Sequence, residues 1–593
     1  MITQMKKYTF LVFHRDYEPF LEQLRELGVV HITQKASGLI EDNEALQAAL
    51  QHEDELRRLF KQGAPDQLLN EQSNIKQRII DAQTAAKQAS VWGEFDAARI
   101  GQLKEAGYTL HFFVCPTNAY KEEWGIAVNE KEGKTYFVVV ETATSQDLEA
   151  SELLEKATEI PVPEKSEKEW LLEMENLKGL LAAANARIEA WQIANMDNLK
   201  QQLVEARQQI DWQRVTLSSD QLADGALCLF EGFCPIDKEP ELNNMLASAQ
   251  VYYEETDPQA DDATPIKLRN NKFTQLFEPL TGMYGWPNYN EFDPTPILAP
   301  FYLLFFAMCM GDAGYGLLLM LFGWLITKKK LNIEMFEGLG PIITVLGAGT
   351  FVIGLFLGTF LGIDLYNASW YPEALKQCIL QGEIAGYNIQ MVVALAIGVF
   401  HVCLAMVVKA ICYTRQTGFR NNVSTWGWAL LIIGTIITVI IGMCVELPEN
   451  VTKITLIVIA GISALGIYIF NTPGRNPLIN IGSGLWDTYN MVTGLLGDTL
   501  SYVRLFALGL AGGMLGSAFN NLGMMILGDG EGSVVGIVLK GIGAVAILVV
   551  GHLLNLALSG LGAFVHPLRL TFVEYFKNVG YEGKGGLYEP FKK

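Results

Sequence analysis

Residues 485–510 read LWDTYNMVTGLLGDTLSYVRLFALGL, a long apolar helical pattern with a single arginine, Arg504, deep inside it. Apolar sequence continues for roughly 20 residues on each side, enough to bury the position within a membrane span. On insertion scales an arginine at the bilayer centre costs about 2.5 to 3.5 kcal/mol, and it usually faces protein, water or a counter-ion. A helix-end arginine can snorkel to the headgroups instead, but the long apolar flanks argue against such a place. Guanidinium keeps its proton at any physiological pH. Arg504 is therefore a fixed positive charge in a membrane.

Working outward, the last two apolar patterns run over about 485–527 and 534–578, roughly 60 Å each at helical rise and about twice the hydrocarbon thickness. They must tilt or project. Polar residues concentrate on them: Asp487, Asp498 and Arg504 on the first, and His552, His566, Arg569 and Glu574 on the second. His566 and Arg569 are three apart and share a helical face. Two arginines on adjacent spans point to a charged, hydrated ion path. Other roles stay open for Asp498 (a local pair), His552 (a core histidine) and Arg569 and Glu574 (an interfacial place). Asp312 is expected to shape a chain break, and His401 to be structural.

Earlier apolar runs lie near 340–362, 390–412, 424–446 and 453–470, and 297–327 reads as two short spans broken at GDAGYG. That makes eight. The positive-inside rule agrees: Lys328, Lys329, Lys330, Lys409, Arg415, Arg420 and Arg475 fall on one side. The acidic loops around Asp364 to Glu383, Glu446 to Glu449 and Asp529 to Glu531 fall on the other.

The net charge of −20 on 593 residues belongs almost wholly to residues 1–290, which hold 47 acidic and 28 basic side chains. Such a domain is solvated and unsuited to nucleic acid. Its start, MITQMKKYTFLVFHRDYEPF, lacks the apolar core of a signal peptide, so the expected place is the cytoplasm. Strand, helix and strand patterns open a first α/β lobe at 1–38, completed by 216–257, and a second lobe occupies 91–162. Between them, 39–90 (from about Leu39, interrupted near Gly63) and 163–215 read as long helices. Trp170, Met174, Leu177, Leu181, Ala184, Ile188 and Trp191 alternate by four and three, a heptad seam, resumed through Met196, Leu199, Leu203, Ala206 and Ile210. An antiparallel coiled-coil arm with a lobe at each end is the expectation. It would fill 1–265, followed by a linker (266–296), the membrane domain (297–580) and a cytoplasmic tail (581–593). The eight cysteines show no metal or disulfide spacing, and no phosphate loop or nucleophile motif appears. No cofactor, metal or catalytic residue is expected.

NNKFTQLFEPLTGMYGWPNYNEFDPTPILAPFYLLFFAMCMGDAGYG, GDTLSYVRLFALGLA and GAFVHPLRLTFVEYFKNVGYEGKG together resemble subunit I of V/A-type rotary ATPases, the counterpart of eukaryotic subunit a. The resemblance implies an α-helical membrane protein with eight transmembrane helices, the last two long and tilted, and an N-terminal two-lobed cytoplasmic domain. It implies a stator set against a rotating c/K-type proteolipid ring, whose further partners are peripheral stalk subunits E and G, a C/d-type central-stalk cap and the lipid bilayer. Arg504 matches the family's essential arginine and Arg569 its second, with His566 at the polar position three residues before. Arg569, His566 and Glu574 would shape or line a half-channel, with Asp498 or water doing part of that work. Where eukaryotic relatives carry glutamate, glutamate and histidine, this chain has Ser559, Asn490 and Gly512, so their proton route does not transfer. A secondary transporter would show paired, broken repeats, and a plain scaffold leaves Arg504 unexplained. The choice between H+ and Na+ rests largely on the ring.

Overall fold

The computed structural model describes residues 2–33, 43–142, 156–161, 164–223, 225–249, 251–259, 262–328, 338–384, 386–445, 448–471, 476–528 and 534–592. Leu39, Lys329, Lys330, Glu446, Arg475, Asp529 and Glu531 lie outside them. The chain divides into two compact units, Gln34–Ser219 and the remainder. Strand β1 (Met5–Phe13) buries Met5, Tyr8, Phe10 and Val12, mostly at the two-residue period of a pleated strand. Helix α1 (His14–Leu27) buries Tyr17, Phe20, Leu21 and Leu24 at spacings of three and one, and ends at Gly28 with φ 63°. A two-residue strand, β2 (His31–Ile32), follows.

The unit Gln34–Ser219 opens with α2 (Glu44–Gln62), whose first free amides, Ala45 and Leu46, donate to the Asn43 side chain. Helix α3 (Asp66–Ala89) follows Pro65, and α4 (Ala97–Glu105) leads into a sheet. The sheet holds β3 (Tyr108–Pro116), β4 (Ile126–Lys131), β5 (Lys134–Thr142) and β6 (Thr158–Ile160) in the order β4-β5-β3-β6, all antiparallel. The chain leaves by α5 (Glu167–Leu217), 51 residues long. Its start is fixed by Glu169 Oε2, which accepts the Ser166 amide at 2.9 Å. Contacts run antiparallel along α5: Glu53 meets Arg207 at 3.2 Å, Glu71 meets Arg187 at 2.6 Å, and Gln72 donates to Asn185 at 2.7 Å. The heptad seam residues Trp170 through Trp191 are the buried and half-buried positions of this helix, as are Leu199, Leu203, Ala206 and Ile210. These side chains, not the rim ion pairs, carry the pairing, because exposed ion pairs contribute little.

Back in the first unit, β7 (Asp220–Leu222), β8 (Leu227–Pro235), α6 (Glu239–Ser248) and β9 (Tyr252–Thr256) complete a sheet ordered β2-β8-β1-β9, with β7 on β8. Strand β8 pairs with all of β1, from Met5 opposite Pro235 to Phe13 opposite Leu227. The chain's last residues are built into this lobe. Ile266 donates its amide to Gly586 and accepts that of Tyr588, both at 2.8 Å, while the Phe591 amide donates to the Val30 carbonyl at 2.8 Å. The Tyr588 hydroxyl donates to the Val29 carbonyl at 2.6 Å. Ending the chain at Gly583 is expected to destabilise this region by about 4 kcal/mol, since four backbone hydrogen bonds, the three above and that of the Gly585 amide to the Trp286 carbonyl, are lost at about 1 kcal/mol each. Limited proteolysis of the lobe in membranes should then run faster than in wild type, and an unchanged rate would contradict this.

The chain is a multi-pass helical membrane protein. Among the described residues six helical stretches are long and apolar enough to cross a bilayer, Gly340–Leu357, Ile389–Thr417, Phe419–Gly442, Asn450–Ile469, Leu478–Leu527 and Val538–Val579, and two shorter apolar helices precede them. In chain order these helices are α7 (Thr295–Met310), α8 (Ala313–Thr327), α9 (Gly340–Leu357), α10 (Ile389–Thr417), α11 (Val423–Val445) and α12 (Glu449–Ala464). They are followed by α13 (Pro477–Ser501), α14 (Val503–Leu527), α15 (Val534–Arg569) and α16 (Phe576–Val579). Helix α7 sits at the centre of the core, with Tyr302, Phe305 and Met310 fully buried. It breaks at GDAGYG. Gly311 has φ 63°, and the fully buried Asp312 accepts four amides, from Gly314, Tyr315, Leu361 and Gly362, at 2.7 to 3.1 Å.

Two expected boundaries move. The run 340–362 ends as a helix at Leu357, because Gly358 turns left-handed at φ 80° and Asp312 holds the amides of the following turn. The run 485–527 begins at Pro477 and is interrupted at Tyr502, where the Tyr502 and Leu505 amides bond three residues back rather than four.

Candidate ion path

Asp487, Asn490, Gly494 and Asp498 recur at spacings of three and four on α13 and so share a face. With Lys409 of α10, Thr425 of α11, and Lys577 and Asn578 of α16, they line a cavity of about 340 Å³. Asp498, only 9% exposed, accepts from Asn578 Nδ2 at 2.7 Å, and the same nitrogen donates to the Glu574 carbonyl at 2.6 Å. A single amide thus links the Asp498 carboxylate of α13 to the backbone carbonyl of Glu574. Glu574 is 2% exposed, and its Oε2 has no hydrogen-bond partner among the described residues.

Six residues after Asp498, about 9 Å further along the helix, comes Arg504. It is half-buried, and its Nη1 is enclosed without a hydrogen-bond partner among the described residues. A buried donor on a charged group is costly to leave unmatched.

Beyond Arg504 the same helical run borders a second cavity, of about 590 Å³. Phe506, Gly509, Gly513 and Ser517 of α14 form one wall, and Gly311, Thr359, Asp364, Glu383 and Gln390 contribute to the others. The two cavities share no lining residue. On α15, His566 is half-buried within electrostatic reach of both Arg504 and Arg569, and Arg569 itself is exposed. Directly after Arg569 the helix widens over Leu570–Tyr575 into bonds five residues back, and Glu574 lies in this wide turn. Such insertions re-aim side chains and recur at functional positions.

A family model described as the V-type ATPase 116kDa subunit family matches residues 14–370 and 485–593, more than half of the chain and both arginine-bearing helices. The chain belongs to this family. Among similar proteins, the A-type ATP synthase subunit I of Methanocaldococcus jannaschii is 32% identical over 394 residues, 60% of this chain and 53% of the relative. The chain thus spans about half the length of that archaeal relative. The V-type ATP synthase subunit I of Borreliella burgdorferi is 25% identical over 627 residues and matches from end to end, and that of Treponema pallidum is 25% identical over 650 residues. The resemblance drawn from the three motifs is borne out.

In this family member the five residues singled out by sequence fall into two groups. Asp498 and Glu574 meet through Asn578, and His566 lies near both arginines. His552 has both ring nitrogens engaged, with the Tyr315 hydroxyl at 2.7 Å and Asn520 Oδ1 at 3.0 Å. Gly512 and Ser559 face each other: a Cβ on Gly512 would come within 2.9 Å of the Ser559 hydroxyl. Asn555 fills the space between, donating to Tyr315 and to the Gly512 carbonyl at 2.9 Å each. Lys577 and Asn578 belong to the first cavity without having stood out in sequence, and Lys409, noted only as a positive-inside charge, belongs to it too. Asn578, four residues after Glu574 on the same helical face, carried the only available signal.

Proposed function

We propose that this chain is the stator of the membrane sector of a rotary ATPase, with α13 to α15 set against a ring of proteolipids that each carry a mid-membrane carboxylate. The observation that carries this is the pair of separate polar cavities on either side of Arg504 along one helical run, with Nη1 enclosed and unmatched between them. Each cavity is a half-channel. An ion enters one, neutralises a ring carboxylate and travels around with it, because a bare carboxylate in lipid is costly. On arrival, Arg504 favours the charged carboxylate and the ion leaves through the other cavity. The fixed guanidinium also repels cations and blocks a direct leak. Transport of H+ or Na+ is thereby coupled to rotation, and so to ATP hydrolysis or synthesis on other subunits.

Asp498 and Glu574 belong to the half-channel on the side of the lobe, His566 and Arg569 to the approach of the ring carboxylate. The two short helices α7 and α8 count as spans, which gives eight and leaves the lobe and the C-terminus together in the cytoplasm. The antiparallel pair built on α5 is a coiled-coil arm for peripheral stalk subunits E and G, and the central-stalk cap meets the ring beside it. Purification through a tag on this chain should bring down a proteolipid ring in stoichiometric amount. A chain recovered intact without proteolipid would favour a transporter or scaffold.

A further inference from the structure

The ion path as proposed makes no use of His401, yet this residue touches both of its irregular segments. His401 lies on α10, 1% exposed, and its Nδ1 shares a 2.8 Å hydrogen bond with the Tyr502 hydroxyl. Tyr502 is the residue at which the helix is interrupted, two before Arg504. Its ring is fully buried against Gly398, one turn before His401, where a Cβ would fall 2.4 Å from the ring. On its other side the imidazole stacks on Tyr575, with centroids 4.4 Å apart and planes 8° apart. Tyr575 follows Glu574 and closes the wide turn after Arg569. A single side chain thus bridges the turn that carries Arg504 and the turn that carries Glu574.

Packing alone does not account for an imidazole here. Phe301 and Phe305 complete an aromatic slot, with centroids 4.2 and 5.2 Å from His401, which a phenyl ring would fill. His401 Nε2 is enclosed with no hydrogen-bond partner among the described residues, a cost that phenylalanine would not carry. What the imidazole adds is the bond to Tyr502.

We propose that His401 is a positioning residue, which through Tyr502 and Tyr575 holds Arg504 in register with the Glu574 turn. The role rests on the ion path proposed above. A guanidinium displaced by an ångström meets the ring carboxylate in poorer geometry and seals the half-channels less well. The expected defect is slip, ATP turnover with fewer ions moved, rather than loss of the protein.

The test compares His401→Phe, Tyr502→Phe and the double variant in purified complex reconstituted into vesicles. Proton uptake by a pH-sensitive dye and uptake of radiolabelled Na+ are each divided by the ATP hydrolysed. Each single variant should assemble at wild-type yield and lower the ions moved per ATP about fivefold, the effect of one lost hydrogen bond. The double variant should match the singles, since all three remove the same bond. A defect of packing alone would reduce yield, or both rates in proportion, and leave the ratio unchanged. An unchanged ratio in either assembled single variant would overturn the proposal, as would additive effects or failure of both singles to assemble. Arg504→Ala, measured in parallel, separates the two levels: normal pumping there removes the ion path itself, whereas lost pumping there with unchanged ratios here removes only the role of His401.

Discussion

Arg504→Ala is expected to leave the complex assembled and to reduce ATP-driven ion uptake by about 100-fold or more, equivalent to at least about 2.7 kcal/mol. Assembly survives because Nη1 makes no hydrogen bond within the described residues, so alanine there leaves no Nη1 partner unsatisfied. Function does not survive, because the charge acts on something that comes and goes. Without it, an arriving carboxylate has no counter-charge to favour ion release, and nothing repels a cation passing between the cavities. Lysine at this position should recover little, since an ammonium lacks the planar fork and loses its proton more readily when buried. Dye-monitored uptake in vesicles, with proteolipid content checked on the same sample, measures this. Wild-type uptake in an assembled Arg504→Ala complex would make the arginine structural.

Leucine at Gly347 is expected to keep the membrane domain from accumulating. Helices α8 and α9 run together through glycines: a Cβ on Gly347 would lie 2.4 Å from the Met320 amide nitrogen, and one on Gly316 would lie 2.4 Å from that of Phe351. The obstacles are backbone atoms, which cannot swing aside, so a side chain must separate the helices along the seam. Small residues at such crossings let backbones approach closely in place of a hydrophobic driving force that lipid does not supply. The loss should exceed the roughly 1 to 3 kcal/mol usual for overpacking, because no rotamer relieves it. Gly541→Ala is the control, since nothing lies within 4 Å of its Cβ position, and it should accumulate as wild type. Membrane yield of the two variants decides the matter; equal yields would contradict the close packing.

What the sequence disclosed and what it withheld divide along periodicity. The charge at Arg504, the seam from Trp170 to Trp191 and the break at GDAGYG each disturb or establish a repeat, and each was visible. The interruption at Tyr502 was not, because a change from bonds four residues back to three leaves the apolar pattern intact. The wide turn at Leu570–Tyr575 had one signal, Pro567, which lies inside α15 and cannot donate to its ladder. The sequence marks 581–593 as a cytoplasmic tail but not its docking, since GGLYEPFK has no period and its partners, Val29, Val30 and Ile266, lie hundreds of residues away. Asp498 and Glu574 were legible as polar residues on long helices. Their junction through Asn578 depends on the crossing of those helices, which no local pattern encodes.

The proposed half-channels must open to opposite sides of the membrane, and thiol accessibility tests that directly. In a background with the exposed Cys378 and Cys444 replaced by serine, Asn490→Cys and Ser517→Cys each place a thiol in one cavity. A membrane-impermeant maleimide applied to sealed vesicles of known orientation should label Asn490→Cys only from the side that bears the lobe, and Ser517→Cys only from the other. Labelling of both from the same side would mean one continuous cavity, and Arg504 would then separate nothing.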